Sequence, residues 1–331
     1  FDSITVPLKV KDPENSGMKI PTVQELGREN VENESSKITV NDIARVLGDD
    51  YPLDVMDVQT QQNSDWTISQ WNNYFSKTPT EQRDRIRNVI SLEVSHVQQF
   101  RDGIRRPTAV EVNDLADLVW EDVVDKKSDV PRPKVTKYIL MSVGNAYTDF
   151  HLDFAGTSVY YNVISGKKKF ILFPPTIHNL GQYKRWCDSD HQNLVFLGDM
   201  LEDGVAMELN SGDLFMIPCG YIHAVYTPID SLVVGGNFLT LRDITTQLKI
   251  VEVERLTKVP KRFTFPHFDI VMGKTCEWVL KHRKAIPDEH VKTLISHMSG
   301  PKVKYKPVNY RNKKELLQEL EKRVSQLQTS L

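Results

Sequence analysis

The sequence predicts a fold built on a mainly β core, a sandwich or barrel of short strands, with flanking N-terminal and C-terminal α-helices. Between residues 134 and 245, short runs rich in β-branched and aromatic residues alternate with Gly, Pro, Asn and Asp turns. Many short strands at this spacing are typical of a sandwich or barrel rather than of a βαβ sheet. Beyond residue 246 the pattern changes to helical periodicity.

The composition fits a chain with a large core and no single charged partner. The 331 residues are 40% hydrophobic, and 42 basic residues nearly balance 44 acidic ones, so no overall field points to nucleic acid. Three well-separated cysteines without a CxxC pair argue against a disulfide framework or a thiolate zinc site and favour a reducing compartment. No apolar run reaches membrane-spanning length, and the first residues lack the pattern of a signal peptide. Because the sequence starts at Phe1, we expect it to be part of a longer protein.

The region before the core divides into two parts. Residues 1–50 are predicted to form an irregular arm that ends in a short helix, "TVNDIARVLG", closed by Gly48. Residues 51–133 are predicted to be a mixed extension of the core. Its strands are "PLDVMDVQT" and "NVISLEVS", and its helices are "DWTISQWNNYFS" and the amphipathic "AVEVNDLADLVWEDV".

The core and the region after it differ in character. Within the predicted β core, residues 134–245, one insertion is predicted to form a helix and a loop, "TIHNLGQYKRWCDSDHQNL". Residues 246–331 are predicted to be helical and basic, with "KTCEWVLKHRK" and "KKELLQELEKRVSQLQ" as the clearest helices. The apolar stripe of the last helix is too short for a coiled coil, so we expect it either to pack on the domain or to fade into a solvated tail.

The stretch "YTDFHLDFAG" predicts a metal site. In a strand, residues two apart project to the same face, so His151 and Asp153 share one face while their apolar neighbours share the other. Two histidines and one carboxylate on one side of a metal form the facial triad of non-haem iron(II) oxygenases. The pattern therefore requires one more histidine, brought back to this strand by the fold.

His223 is the best candidate for the third ligand. His178 and His191 lie in the helix-and-loop insertion, whereas His223 lies in "PCGYIHAVYT", a strand that follows a turn. A sandwich of about eight strands can return that strand beside the first one. A second HxD pair, His267 and Asp269, leads into a helical, basic segment that offers no third ligand, so we expect no metal role for it.

The lysine triplet in "SGKKKF" suggests a site for an anionic cosubstrate. A 2-oxo acid would chelate iron through one carboxylate and its keto oxygen, and its far carboxylate would need a cation inside the barrel. A triplet after a Ser-Gly turn is also an ordinary solvated hairpin end. Because "KFILF" is apolar on both faces, alternation does not select which of Lys167, Lys168 and Lys169 points inward.

Several segments, in order and with family spacing, resemble the JmjC-domain histone lysine demethylases. They include "YTDFHLDFAGTSVYYNVISGKKKFILFPPTIHNL", "IPCGYIHAVYTP", "VVGGNFL" and "NVISLEVSH". The likeness extends from about Pro52 to about Pro266 and is strongest to the fungal-to-animal branch that acts on lysine 36 of histone H3. It implies a double-stranded β-helix, or jelly roll, of the cupin-like type. It also implies that His151, Asp153 and His223 are the iron ligands.

The same resemblance implies residues for the cosubstrate. Thr148 and Lys168 match the residues that hold the far carboxylate of 2-oxoglutarate, and Asn88 and Tyr161 match polar residues near it. Strict alternation places Thr148 on the face opposite His151, so a bulge is needed to bring it into the site.

Three positions depart from the family pattern. Ala155 stands where glycine is frequent, Tyr221 where tryptophan is common, and Lys167 where glycine is frequent. None of them is a predicted ligand, so the resemblance implies an active enzyme. The small Ala155 is expected to preserve a close backbone approach.

The implied activity is demethylation of mono- and dimethylated lysine 36 of histone H3 with Fe(II), 2-oxoglutarate and O2. The implied partner is the histone H3 tail or nucleosome, and the implied location is the nucleus. Acidic runs such as "WEDVVD" and "LGDMLEDG" could steer a basic tail or could be solvated faces. The chain shows no membrane segment and no direct nucleic-acid motif, and any chromatin-reader domain would lie outside it. The alternatives are a JmjC protein hydroxylase, a catalytically silent JmjC chromatin-binding scaffold, and a remoter cupin-like binding protein.

Overall fold

The computed structural model describes residues 4–11, 13–28, 37–125, 129–282 and 286–328. Its strands all pair in antiparallel fashion within one continuous sheet that folds over on itself. The ten strands of the described residues are β1 Leu8–Val10, β2 Pro52–Asp57, β3 Gln62–Thr67, β4 Arg87–Glu93, β5 Tyr138–Ser142, β6 Ala146–His151, β7 Ser158–Phe173, β8 Val205–Asn210, β9 Leu214–Ile217 and β10 Ile222–Phe238.

Two long strands, β7 and β10, form the centre of the sheet. They run antiparallel along their lengths, with register shifts between Tyr226 and Val233 of β10. The first half of β10 also pairs with β6, and its second half pairs with β5. The two halves of β7 pair in the same way with β9 and β8. Each long strand therefore contributes to two sheets, and the shifts mark where it passes from one to the other.

The two sheets face one another across an apolar core. Val159 and Tyr161 from the first half of β7 belong to the same buried cluster as Phe170 and Leu172 from its second half. The sheet must therefore close over on itself, which is the arrangement of a jelly roll. The predicted class, a mainly β jelly-roll core with helices on both sides, is confirmed.

The extension before the core adds strands to one sheet. The pairs β2–β3, β2–β4 and β4–β5 continue the sheet outward from β10. The predicted helix "DWTISQWNNYFS" begins only at Ile68, because Asp65 to Thr67 end strand β3 and Thr67 caps the helix through its side-chain oxygen. The N-terminal arm is also more regular than expected, since β1 pairs with β9.

Helices surround the sheet on the outside. The segment predicted as one amphipathic helix is two, because Asp114 accepts a hydrogen bond from the Ala116 N–H and starts a new helix there. The helices of the described residues are α1 Val40–Leu47, α2 Ile68–Asn72 (continued by a π-turn, Asn73–Lys77), α3 Gln98–Gly103, α4 Thr108–Glu111, α5 Leu115–Asp122, α6 Ile177–Cys187, α7 Ile244–Leu256, α8 Phe268–Lys281, α9 Asp288–Met298 and α10 Lys313–Gln328.

The C-terminal helices pack against the domain. Leu316, Leu320 and Val324 of α10 are buried in one cluster with residues of α5, α7, α8 and α9. As far as Val324, the apolar stripe of α10 therefore packs on the domain, the first of the two expected outcomes, and Leu331 lies outside the described residues. Within the described part of the chain, none of the helices combines the length and apolar character that crossing a bilayer requires.

Candidate active site

Strand pairing brings the predicted metal ligands together. His151 ends β6 and lies directly opposite His223 of β10, and their ring centroids are 4.3 Å apart. Asp153 lies two residues beyond β6, and its Oδ2 is 3.7 Å from His223 Nε2. Three side chains that are 72 residues apart at the extremes are thus joined by two pairwise contacts.

Hydrogen bonds orient both imidazoles for metal binding. Nδ1 of His151 lies 2.8 Å from the carbonyl oxygen of Asp149, and Nδ1 of His223 lies 3.0 Å from that of Tyr221. A carbonyl only accepts, so each Nδ1 carries the proton and each Nε2 keeps a free lone pair. Histidine ligands of protein metal sites are fixed in this way.

The carboxylate of Asp153 is oriented by a residue that sequence reasoning missed. Asn237, near the end of β10, donates from Nδ2 to Asp153 Oδ1 at 3.1 Å and to Thr157 Oγ1 at 2.8 Å. This leaves Oδ2 toward His223. An asparagine on an apolar strand gives no sequence signal of that role, because the contact depends on where a later strand passes.

The charge state and the donor set fit a ferrous ion. Burial, and next the neighbouring His151, lower the pKa of His223 to about 4, so its imidazole is neutral near pH 7. Among the residues that the structure describes, no group of three or more His, Cys, Asp and Glu side chains is already arranged to hold a metal ion. Because His151 and His223 are direct strand partners, the backbone already holds the two imidazoles side by side. Two imidazoles and one carboxylate match the facial triad.

A cavity of about 460 Å³ opens beside these ligands. Its size suits a small dicarboxylate together with the end of a substrate side chain. All seven of the site residues predicted from the sequence line it: Asn88, Thr148, His151, Asp153, Tyr161, Lys168 and His223. The roles assigned to them stay predictions, but the structure places them around one space.

Lys168 supplies a buried positive charge to this cavity. Its Nζ donates to Ser142 Oγ at 2.6 Å and to Thr227 Oγ1 at 2.8 Å, and the side chain is 2% exposed. Burial lowers the pKa of Lys168 to about 7. In the described ranges no carboxylate pairs with it, whereas Lys167 and Lys169 both contact Glu208 at the surface. A buried ammonium held only by neutral hydroxyls favours an anionic ligand.

A hydroxyl and amide network continues from Lys168. Ser142 donates to Asn88 Oδ1 at 2.6 Å, and Asn88 Nδ2 makes a long contact of 3.5 Å with Thr148 Oγ1. Sequence reasoning missed Ser142 and Thr227, because isolated hydroxyl residues in strands are common.

Thr148 reaches the cavity through the expected irregularity. His223 pairs with His151, yet Val225 pairs with Thr148, so β6 advances three residues where β10 advances two. The extra residue is a bulge, and it places Thr148 and His151 around the same space despite their odd spacing.

The two adjacent tyrosines of β7 separate clearly. Tyr161 lines the cavity and packs edge-on against Phe170, with ring centroids 5.3 Å apart, and burial raises its pKa. Tyr160 belongs to another buried cluster, and its hydroxyl donates to the Thr136 carbonyl at 2.6 Å. Of these two tyrosines, Tyr161 is therefore the one placed to contact a ligand in this cavity.

The C-terminal region contributes a wall that sequence reasoning also missed. Arg262 and Phe263, in a 3-10 turn after α7, line the cavity, and the guanidinium lies 4.7 Å from the ring centroid. Phe263 is 45% exposed, so this wall lies on the solvent side. Phe154 and Tyr138 add further aromatic surface to the lining.

Other sequence candidates lie elsewhere. Asp269 of the second HxD pair contacts His297 at 3.3 Å, and His178 contacts Glu202 at 3.8 Å. The acidic run "WEDVVD" contributes Asp122 to contacts with Lys281 and His282 of the C-terminal region. That carboxylate is paired within the chain, so it is poorly suited to steering a basic tail.

The chain is similar to known proteins along most of its length. A family model described as a cupin-like domain matches residues 22–241, and one described as the JHD1 C-terminal domain matches residues 269–324. The JmjC domain-containing histone demethylation protein 1 of Kluyveromyces lactis is 64% identical over 98% of this chain and 68% of its own length. The protein of the same name from Saccharomyces cerevisiae is 54% identical over 97% and 67%. Lysine-specific demethylase 2B of Mus musculus is 41% identical over 81% of this chain and 20% of its own length.

Proposed function

Because the chain belongs to the JmjC histone demethylases of the histone demethylation protein 1 type, we propose that it removes methyl groups from mono- and dimethylated lysine 36 of histone H3 with Fe(II) and 2-oxoglutarate. The relatives' names support the histone substrate, and the choice of lysine 36 rests on the likeness to that branch of the family. A histone substrate places the enzyme on chromatin in the nucleus.

One observation carries the proposal. A single cavity contains both an iron-type donor set and a buried ammonium for which the described residues offer no carboxylate partner. His151, Asp153 and His223 would hold the metal at one end. Lys168, with the hydroxyl of Thr148 nearby, would hold the far carboxylate of 2-oxoglutarate at the other. A dicarboxylate could bind the metal through one end and the ammonium of Lys168 through the other, which a neutral ligand could not do.

The bound metal with 2-oxoglutarate and O2 supplies the oxidising power that hydroxylates an N-methyl carbon, after which the hemiaminal releases formaldehyde and the amine has one methyl group fewer. The protein's own contribution is positional. Each imidazole keeps its Nε2 available because its Nδ1 proton is held by a backbone carbonyl. The packed rings of Tyr161 and Phe170 keep water out of the cosubstrate end.

The open side of the cavity suits a methylated lysine. Such a side chain combines an apolar stem with a cationic tip, and aromatic faces bind this combination. Tyr138 and Phe154 provide these faces beside the ligands, while the ring of Phe263 already contacts the guanidinium of Arg262. Asp153 is the acidic residue of the lining, and it would be neutralised by the metal, so the aromatic surface becomes the main attraction for the cation.

The deciding experiment uses mass spectrometry on histone H3 peptides methylated at single lysines. The protein is incubated with iron(II), 2-oxoglutarate and ascorbate, and formaldehyde is measured in parallel. We expect the lysine-36 peptide to lose one methylene per turnover with equal formaldehyde, and peptides methylated at other lysines to remain unchanged. A gain of one oxygen without formaldehyde would instead identify a protein hydroxylase. Binding of the peptide without any turnover of 2-oxoglutarate would identify a silent scaffold.

A further inference from the structure

Helix α7 packs against both turns that carry the metal ligands. A Cβ atom added at Gly156, three residues after Asp153, would lie 2.8 Å from Ile250 Cγ1. A Cβ atom added at Gly220, three residues before His223, would lie 3.1 Å from Thr246 Cγ2. The helix spans Ile244–Leu256, between the two segments that match family models. One helix thus contacts the two turns whose positions decide where the ligands meet.

Glu254 makes a specific bond from this helix to the Asp153 turn. Its Oε1 accepts a hydrogen bond from the backbone N–H of Ala155 at 2.7 Å, and the side chain is 9% exposed. Ala155 has φ 52° and ψ 23°, a left-handed conformation that a residue with a Cβ rarely adopts. The buried acceptor on α7 therefore holds a strained peptide two residues after a metal ligand.

Glu254 has no evident value for folding. Within the described ranges no cation pairs with it, and burial raises its pKa to about 7. A buried carboxyl with a single backbone donor is poorly compensated, and an apolar side chain of similar volume would pack here without that cost. Its presence points to a requirement beyond packing.

We propose that Glu254 is a positioning residue of the active site, which fixes the turn at Ala155 so that Asp153 is directed at the metal position. Asn237 holds Asp153 Oδ1 from the side of β10, and Glu254 holds the backbone from the side of α7. The inference rests on the proposed function, since it assumes that Asp153 binds a metal. It makes α7 the connection between the C-terminal helices and the affinity of the metal centre.

The test is calorimetric titration of the metal-free protein with Mn(II) in the presence of 2-oxoglutarate. Glu254→Met removes the acceptor at similar volume, and we expect it to weaken Mn(II) binding by roughly 10–100-fold, the usual effect of losing a group that orients a metal ligand. Glu254→Gln keeps an oxygen for the Ala155 N–H, and we expect its affinity to stay within about threefold of the unaltered protein. If Glu254→Met does not fold, Glu254→Asp, which withdraws the carboxyl by one methylene, must show the same loss.

A structural control separates positioning from stability. Val279 in α8 belongs to the buried apolar cluster that also contains Ala155. Val279→Ala removes volume from that cluster, so it should lower the melting temperature without changing Mn(II) affinity. Equal affinities for Glu254→Met and the unaltered protein would overturn the inference, as would an equal loss of affinity in Val279→Ala. If the unaltered protein itself bound no Mn(II), the proposed function would fail instead, so the two failures are distinguishable.

Discussion

The two ends of the cavity are built in different ways. At the end proposed to bind the metal, called the ligand end, His151 is the last residue of β6 and Asp153 lies just beyond it. Helix α7 supports the turn that follows Asp153 from outside the sheets. At the end proposed to bind the cosubstrate, Lys168, Ser142 and Thr227 lie on paired strands, and Lys168 donates directly to the other two. The first end depends on a turn and an added helix, whereas the second depends on the register of the sheet.

This difference decides how much each end can adjust. The ligand end lies at a turn, where the backbone of Asp153 is outside the strand pairing. At the cosubstrate end, strand pairing fixes the backbone positions of Lys168, Ser142 and Thr227. The cosubstrate end is therefore preorganised, and its buried ammonium is destabilising until an anion reaches it.

The largest effect is expected from removing the carboxylate at the ligand end. Asp153→Asn preserves the shape and can still accept from Asn237, but it removes the anionic ligand. We expect formaldehyde release from a dimethylated lysine-36 peptide to fall by more than about 100-fold, the upper end of what losing a merely orienting group costs. Activity and Mn(II) affinity measured together would show whether the loss follows the metal.

The second HxD pair provides the matched control. Asp269→Asn makes the same chemical change in the same local sequence pattern, at a carboxylate that contacts His297 on a helix. We expect its activity to stay within about twofold of the unaltered protein. A comparable loss in both variants would contradict the assignment of the ligand end.

The next largest effect separates binding from stability at the cosubstrate end. Lys168→Met should weaken 2-oxoglutarate binding by about 30-fold or more, since losing one partner of a buried charge pair costs roughly 2–5 kcal/mol. The same change should stabilise the ligand-free protein by about 1–3 kcal/mol, because it removes an uncompensated buried charge. Calorimetry and urea unfolding measure the two effects.

Lys167→Met is the control for both effects of Lys168→Met, the weaker 2-oxoglutarate binding and the greater stability of the ligand-free protein. The side chain of Lys167 bonds Glu208 at the surface, so we expect a change in unfolding free energy below about 0.5 kcal/mol and no change in 2-oxoglutarate affinity. If Lys168→Met left 2-oxoglutarate binding intact, the cosubstrate end would have been assigned wrongly.

A smaller effect is expected from pH. The pKa of Lys168 is lowered to about 7 by burial, and its protonated form binds a carboxylate. The affinity for 2-oxoglutarate should therefore be nearly constant below pH 7 and fall by about tenfold between pH 7 and pH 8.5. The titratable side chains that share the cavity are His151, His223, Asp153, Tyr138 and Tyr161. A flat profile in Lys168→Met would assign the slope to this lysine.

The stability of the ligand-free protein should change with pH in the opposite sense. Between pH 7 and pH 10.5 the unfolded chain keeps the Lys168 proton and the folded protein does not. The unfolded state then binds more protons, so the free energy of unfolding rises with pH across this window. Urea unfolding of the unaltered protein and of Lys168→Met, measured at several pH values, isolates the contribution.

The sequence predicts the fold class and most helices and strands, but it does not predict the polar hairpin β2–β3 or the helix boundary at Asp114. Strand alternation in the core and helical periodicity after residue 246 depend on local burial, which a sequence displays directly. The hairpin β2–β3 was missed because "QNSDWT" is polar and almost wholly exposed, so it carries no alternating pattern. The predicted helix after residue 108 is broken at Asp114, where a cap competes with apolar periodicity.

For the site, the grouping of His151, Asp153 and His223 could be predicted from the sequence, whereas the network around Lys168 could not. His151 and Asp153 are only two residues apart, so they lie close together even though β6 ends at His151 rather than continuing to Asp153 as predicted. Ser142, Thr227 and Lys168 come from three strands, and only the register of the sheet brings them together. Asn237 and Glu254 were missed for the same reason, since each acts on a turn far away in sequence.

The sequence suggested that residue 155 must be small to allow a close backbone approach, and the backbone conformation adds a second reason. The position follows Asp153 and has φ 52°, so a left-handed backbone, rather than a close approach alone, explains why glycine suits it. A comparison with Gly156, which has φ 61°, separates the two requirements. A Cβ atom at Gly156 would lie 2.8 Å from Ile250, whereas the methyl group of Ala155 is buried in an apolar cluster.

The smallest effect is therefore expected from Ala155→Gly. Glycine relieves left-handed strain of about 1–2 kcal/mol, but it loses a buried methyl group worth about 0.8 kcal/mol. It also raises the conformational entropy of the unfolded chain, which lowers the stability of the folded protein by about 0.4–1 kcal/mol. These contributions nearly cancel, so urea unfolding should show a change below about 1 kcal/mol. Gly156→Ala should cost about 1–3 kcal/mol, because its methyl group must displace Ile250. If Ala155→Gly gained more than Gly156→Ala lost, strain rather than packing would dominate the turn that carries Asp153.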